Sequence, residues 1–192
     1  ALFSEVNFQI LPRWSIFGGL RYDREKLGFN KVFREVNETQ LLSSTSFSSD
    51  FSDDAILPKV GINHNLNDDT LISLKTQKSY RPGGIEYDLF NNNDYLYNDE
   101  TVWNYELSLS GKLPNKSINY SANLFYMDWK DQQLTIPRIP SDLTSSVITN
   151  VKDSYVYGGE LELISQPSKG LILFASIGAA LTEFEEFEFN QI

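Results

Sequence analysis

The sequence predicts an all-β fold, an antiparallel transmembrane β-barrel segment of about eight strands. Three observations predict it. Apolar residues alternate with polar ones, short turn-forming links alternate with long polar links, and aromatic residues gather at the strand ends.

The alternation is clearest in Thr101 to Leu113, where Trp103, Tyr105, Leu107, Leu109 and Leu113 stand at odd positions and Asn104, Glu106, Ser108, Ser110 and Lys112 at even ones. Successive side chains of a strand point to opposite faces, so this spacing makes one apolar and one polar face. Tyr155 to Ser165 repeats it, with Tyr155, Tyr157, Leu161 and Leu163 opposite Glu160 and Glu162. Leu171 to Thr182 sets Leu171, Leu173, Ala175, Ile177, Ala179 and Leu181 against small or polar residues. The same rule places strands at about 1–10, 14–25, 55–66, 70–80, 101–113, 118–133, 152–166 and 171–187. Runs of roughly 10 to 16 residues exceed the usual 5 or 6 and suit a tilted crossing of a bilayer.

The links fall into two kinds. Leu11-Pro12-Arg13, Asn67-Asp68-Asp69, Pro114-Asn115-Lys116-Ser117 and Pro167-Ser168-Lys169-Gly170 are short and rich in turn formers. They alternate with long polar links at about 26–54, 81–100 and 134–151. Short turns on one side and long loops on the other are the habit of outer-membrane barrels. Trp14 falls at the turn end, with Phe8 and Tyr120. Tyr22, Tyr80, Trp103, Tyr105, Tyr126, Trp129, Tyr155 and Tyr157 fall toward the loop end. Amphipathic rings favour the headgroup level, so these are expected at the membrane interface. Aromatic residues are also good strand formers in any sheet.

Composition narrows the field further. The 192 residues carry a formal charge of -10 and no cysteine, so no disulfide or thiolate metal site is available, and a nucleic-acid partner is not expected. No apolar run approaches the 18 residues of a membrane helix. Ala1 to Val6 lacks the basic and apolar regions of a secretory signal, which fits a mature chain or an internal segment.

Several segments resemble a known family. Ser79-Tyr80-Arg81-Pro82-Gly83-Gly84-Ile85 is similar to the Y-[RK]-P-G-G stretch of TonB-dependent siderophore receptors, and Gly19-Leu20-Arg21-Tyr22-Asp23 to their G-x-R-Y-D strand. Trp103 to Lys112 resembles the family's W-x-Y-E-[LV]-G-x-K strand, and Asn123 to Gln133 its A-x-F-Y-x-D-[WY]-x-D-x-Q strand, with Asn123 in place of alanine. Tyr157-Gly158-Gly159-Glu160-Leu161-Glu162 is similar to Y-G-[AV]-E-L-E. The likeness runs in the family's order from about Trp14 to Phe187 and is nearest to receptors of the yersiniabactin and pesticin type.

The resemblance implies a barrel of about 22 strands closed by a plug. It also implies an outer-membrane receptor of Gram-negative bacteria that takes up a ferric siderophore using energy delivered through TonB. Iron is then carried in the substrate, with no resident cofactor and no metal site in the protein. Expected partners are the ferric siderophore, outer-membrane lipid, and TonB through a plug segment that this sequence does not contain. Residues 1–192 are expected to form part of the barrel domain, with the plug domain and the remaining strands outside them.

For ligand contact the expected residues are Tyr80, Arg81, Tyr87, Tyr95 and Tyr97, with Phe90 beside them, because aromatic faces and a guanidinium suit a bulky anionic chelate. Pro82, Gly83 and Gly84 are expected to build a bend, the proline fixing φ and the glycines permitting positive φ. Turn chemistry alone would explain that triplet. Arg21, Asp23, Glu106, Lys112, Glu160 and Glu162 are expected on the lumen wall. His64, the lone histidine, is expected near a turn with outward phase, which leaves no histidine-based catalytic constellation facing outside and argues against an enzyme. A complete eight-stranded barrel with an adhesive or structural role is the main alternative. A passive porin and a water-soluble β-sandwich also satisfy the alternation.

Overall fold

Paired backbones, rather than a packed core, hold this chain together. The computed structural model describes residues 1–37, 40–88, 93–113, 117–139 and 142–185. Twelve strands occur among them: β1 (Leu2–Leu11), β2 (Trp14–Asn37), β3 (Gln40–Asn67), β4 (Thr70–Arg81), β5 (Gly84–Asp88), β6 (Asn93–Tyr97), β7 (Glu100–Lys112), β8 (Ile118–Lys130), β9 (Gln133–Ile139), β10 (Asp142–Asn150), β11 (Ser154–Ser168) and β12 (Leu171–Phe184). Eight form one antiparallel sheet in the order β1-β2-β3-β4-β7-β8-β11-β12, and β5–β6 and β9–β10 are two separate hairpins.

The eight sheet strands answer to the eight read from alternation. The long links differ from expectation. Residues 26–37 and 40–54 continue β2 and β3 in one ladder from Trp14↔His64 to Asn37↔Gln40, with a single register shift between Glu35 and Val36. Residues 81–100 and 134–151 contain the hairpins β5–β6 and β9–β10. A strand that has left the apolar belt needs no apolar face, so alternation ends while hydrogen-bond pairing goes on. At about 3.3 Å per residue, the 24 residues of β2 and 28 of β3 reach well past what a tilted crossing needs.

Two-residue turns at 12–13, 68–69 and 169–170 join neighbouring strands at the other end. The expected turn over Pro167 to Gly170 is shorter than its sequence suggests, because β11 runs to Ser168. Pro167 falls inside a register shift between Ser165 and Ser168, where a missing N–H costs the ladder nothing. Gly170 closes this turn with φ 87, a conformation that favours glycine. Pro114, Asn115 and Lys116 lie outside the described residues.

Register then sorts the side chains. Ile16, Ile62, Leu74, Leu107 and Leu124 stand in one continuous row across five strands. Leu74 is 54% exposed and Leu124 61%, and Val151 is the one buried apolar residue among those described. A broad uncovered apolar face on a sheet one strand thick is the surface a lipid-facing wall presents.

The opposite face is polar and largely self-paired. Lys75 bonds Glu106 at 2.9 Å, Lys59 bonds Glu5 at 2.6 Å, and Arg21 bonds Asp23 at 2.7 Å. The Ser108 hydroxyl donates to Asn123 at 2.9 Å and the Asn104 amide donates to Glu106. By strand phase Lys112, Glu160 and Glu162 share this face. Phenylalanines interrupt it where glycines leave room: Phe17 lies over Gly61 and Phe125 over Gly158.

Candidate functional site: the loop-end rim

Where β4, β7, β8 and β11 end, the chain detours twice, and the feet of the two detours meet. The first leaves the sheet after Arg81, forms β5–β6 and returns at Glu100; the second leaves after Lys130, forms β9–β10 and returns at Ser154. At their meeting point the Glu100 side chain is only 7% exposed. Its Oε2 accepts from Arg81 Nη2 at 2.7 Å and from the Gln133 backbone N–H at 2.6 Å. Arg81 Nη2 also donates to the Gln133 carbonyl at 2.8 Å. Gln133 Nε2 in turn donates to the carbonyls of Pro82 and Asn98, each at 2.9 Å.

Asn150 completes the junction. Its Nδ2 donates to the carbonyls of Asn98 (3.0 Å) and Asp131 (2.7 Å), and its Oδ1 accepts from the Asn98 N–H at 2.7 Å. Asp131 turns the chain with φ 52, a left-handed conformation that aspartate tolerates better than most residues. Behind it, fully buried Ser154 donates to Gln132 Oε1 at 2.8 Å. The buried Glu100 carboxylate and Gln133 amide are here matched with partners, as burial of polar groups requires, while the Asn150 bonds lie at the exposed edge.

The expected site residues are distributed around this junction. Arg81 is half-exposed and committed to Glu100 and Gln133. Tyr80 pairs across to Thr101, and its hydroxyl is buried without a partner among the described residues. Tyr87, Tyr95 and Tyr97 lie on β5–β6, where Tyr95 accepts from the Ile148 N–H of β10 at 3.1 Å. Burial first, then the neighbouring Glu86, pushes the Tyr97 phenol above its usual pKa, so it stays a neutral donor. Phe90, expected beside them, lies outside the described residues.

Pro82 and Gly83 form the break between β4 and β5. The glycines do not supply positive φ: among the described residues only Gly170 and Asp131 have it. They allow close approach instead. A Cβ on Gly83 would stand 2.5 Å from the Tyr97 carbonyl oxygen, and one on Gly84 would meet the Tyr97 ring.

The aromatic girdle is corrected at one position. Tyr105, Tyr126 and Tyr155 follow one another on the apolar face, Tyr105 tilted against Tyr126 with centroids 6.2 Å apart and Tyr155 stacked on Tyr126 at 6.0 Å. Trp14 stacks on His64 at 3.8 Å at the turn end, which places that histidine in the girdle. Tyr22, Trp103 and Tyr157 share the phase of the apolar rows. Trp129 does not. It lies an odd number of residues from Tyr126 and pairs with Val102 and Ser154, so it projects to the polar side, its indole N–H buried.

Glu100, Gln133 and Asn150 are absent from the residues expected to matter. Glu100 reads as one more acid in a charged loop, and only pairing distant in sequence gives it a role. A signal for Gln133 was present, since Asp131 and Gln133 end the family-like segment beginning at Asn123.

Comparison with known proteins agrees with this architecture. The family model described as "TonB dependent receptor-like, beta-barrel" matches residues 1–189. Among solved structures, the ferric yersiniabactin uptake receptor FyuA from Yersinia pestis superimposes with a TM-score of 0.73 at 19% identity, over 95% of this chain and 26% of that one. The copper transporter OprC gives 0.70 at 20% identity, over 94% and 28%. The pyoverdine receptor FpvA from Pseudomonas aeruginosa PAO1, bound to pyoverdine, gives 0.68 at 14% identity, over 97% and 25%. The chain thus spans about a quarter of the length of these receptors. Nothing in these matches supports a self-contained adhesin barrel. The lipid-facing rows, the polar wall and the rim hairpins are parts of one known design, and the chain belongs to the TonB-dependent receptor β-barrel family, whose members are outer-membrane barrels of Gram-negative bacteria.

Proposed function

We propose that this chain is a section of barrel wall in a receptor that takes up a ferric siderophore from the medium, with TonB supplying energy through a plug segment. The observation that carries the proposal is the family match over residues 1–189, joined to a rim on which the β5–β6 hairpin carries three tyrosines. FyuA and FpvA are named for ferric yersiniabactin and pyoverdine, which supports an iron chelate as cargo. Iron then arrives within its chelate, and no resident cofactor is required. The role is transport rather than catalysis, as throughout the family.

Tyr87, Tyr95 and Tyr97 are the proposed aromatic contacts, since their hairpin stands at the loop end of the wall and flat rings suit a chelate with aromatic or apolar parts. Arg81 and Tyr80 at its foot support it. The polar wall of Lys75, Glu106, Ser108 and Asn123 is the proposed surface for the plug. The full reading frame tests this, expressed in a Gram-negative strain stripped of its own siderophore receptors and supplied with a panel of chelates loaded with radioactive iron. Uptake of at least one chelate, lost when TonB is deleted, is expected. Copper accumulation without iron uptake, or iron uptake indifferent to TonB, would overturn the proposal.

A further inference from the structure

The β5–β6 and β9–β10 hairpins belong to different detours, and their strands share no ladder. Independent movement would be the default for two hairpins that share no ladder. Their feet contradict that default. The Glu100 carboxylate joins Arg81, which leads into β5, to the backbone of Gln133, which opens β9. Gln133 returns two bonds to Pro82 and Asn98, at either end of the β5–β6 detour. Asn150, closing β10, holds Asn98 through both halves of its amide. Higher up, the Ile148 N–H of β10 donates to Tyr95 of β6.

We infer that Glu100, Gln133 and Asn150 are positioning residues that clamp the two hairpins into a single body, so the rim presents one composite surface built from both. Two features make the clamp stiff. Glu100 is nearly excluded from water, so its bonds face little competition, and a charge-assisted bond in such a place exceeds a neutral one. The attachment is also made at two heights, at the feet and at Tyr95, which opposes rotation of one hairpin about the other. The inference concerns mechanics and stands whatever the cargo.

The test measures distances by double electron–electron resonance in the full-length receptor. The chain contains no cysteine, so labels can be introduced at chosen pairs of sites once any cysteine elsewhere in the receptor is replaced. Exposed Asp94 and Thr135 report on the two hairpins, and exposed Asn119, near the turn end of β8, reports on the wall. The parent receptor is expected to give one narrow Asp94–Thr135 distribution. Arg81→Ala and Glu100→Ala are each expected to broaden it about twofold, and the double variant no further, because both remove the same clamp. Gln133→Ala, which keeps the backbone bond to Glu100, is the milder variant should Glu100→Ala fail to assemble, and it is expected to broaden the distribution to a smaller degree. Distributions as narrow in these variants as in the parent would overturn the inference. So would broadening of the Asp94–Asn119 and Thr135–Asn119 distances in the parent while each hairpin moves independently of the other.

Discussion

A guanidinium at the mouth of a barrel invites an anionic ligand, but Glu100 reaches Arg81 from within the same chain. The pairing decides what the neighbouring residues do. Arg81 holds the end of β4 against Gln133, and the break that follows must fit under Tyr97. Gly83 and Gly84 are therefore required for different reasons. At Gly83 a Cβ would strike backbone, the Tyr97 carbonyl at 2.5 Å and the Asp99 nitrogen at 2.9 Å, whereas at Gly84 it would meet a ring that can turn away. Overpacking against backbone costs about 1–3 kcal/mol, while a rotamer change costs roughly 0.5–1.5 kcal/mol. Gly83→Ala should accordingly speed hydrogen exchange of the β5 and β6 amides about tenfold or more, and Gly84→Ala distinctly less. Equal effects would show that approach to backbone does not set the cost at Gly83. The Pro-Gly-Gly signature made a break legible in the sequence; its cause was not, because Tyr97 stands more than a dozen residues away.

At the scale of the strand, alternation carried the information wherever lipid and lumen imposed two environments. Thr101 to Lys112 and Leu171 to Phe184 were readable for that reason. The outer halves of β2 and β3 were not, since serine-rich stretches such as Thr45 to Ser49 satisfy a backbone ladder without any apolar period. Trp129 marks the same limit from the other side: gathering aromatics by strand end ignores parity, and parity decides which face an indole joins. The row through Leu74, Leu107 and Leu124 supplies a test of the face assignment. An arginine near the midplane of a lipid face costs about 2–4 kcal/mol, and lumen positions tolerate charge. Leu107→Arg should lower the folded, heat-modifiable fraction of the full-length receptor on reconstitution into vesicles. Ser108→Arg, one residue away on the polar face, should lower it distinctly less. Equal losses from the two variants would reject the assignment.

At the scale of the molecule, this is a wall rather than a globule. β1 and β12 flank the eight-stranded sheet, and both are exposed along their whole length. The match to about a quarter of each known receptor fits a contiguous stretch of a larger cylinder. Short turns at one end and hairpins at the other give it polarity, with the clamp at the rim. The fold was legible because a membrane imposes a period on every strand that crosses it. The rim was not, because its bonds join residues 19 to 53 positions apart and leave no periodic trace. The central claim is that one face of this sheet meets lipid, and a nitroxide scan of Thr101 to Lys112 in the full-length receptor in membranes tests it most directly. Accessibility to oxygen should peak at positions 103, 105, 107 and 109, and accessibility to a polar nickel chelate should peak at 104, 106, 108 and 110. A scan without period two, or with the phases reversed, would contradict it.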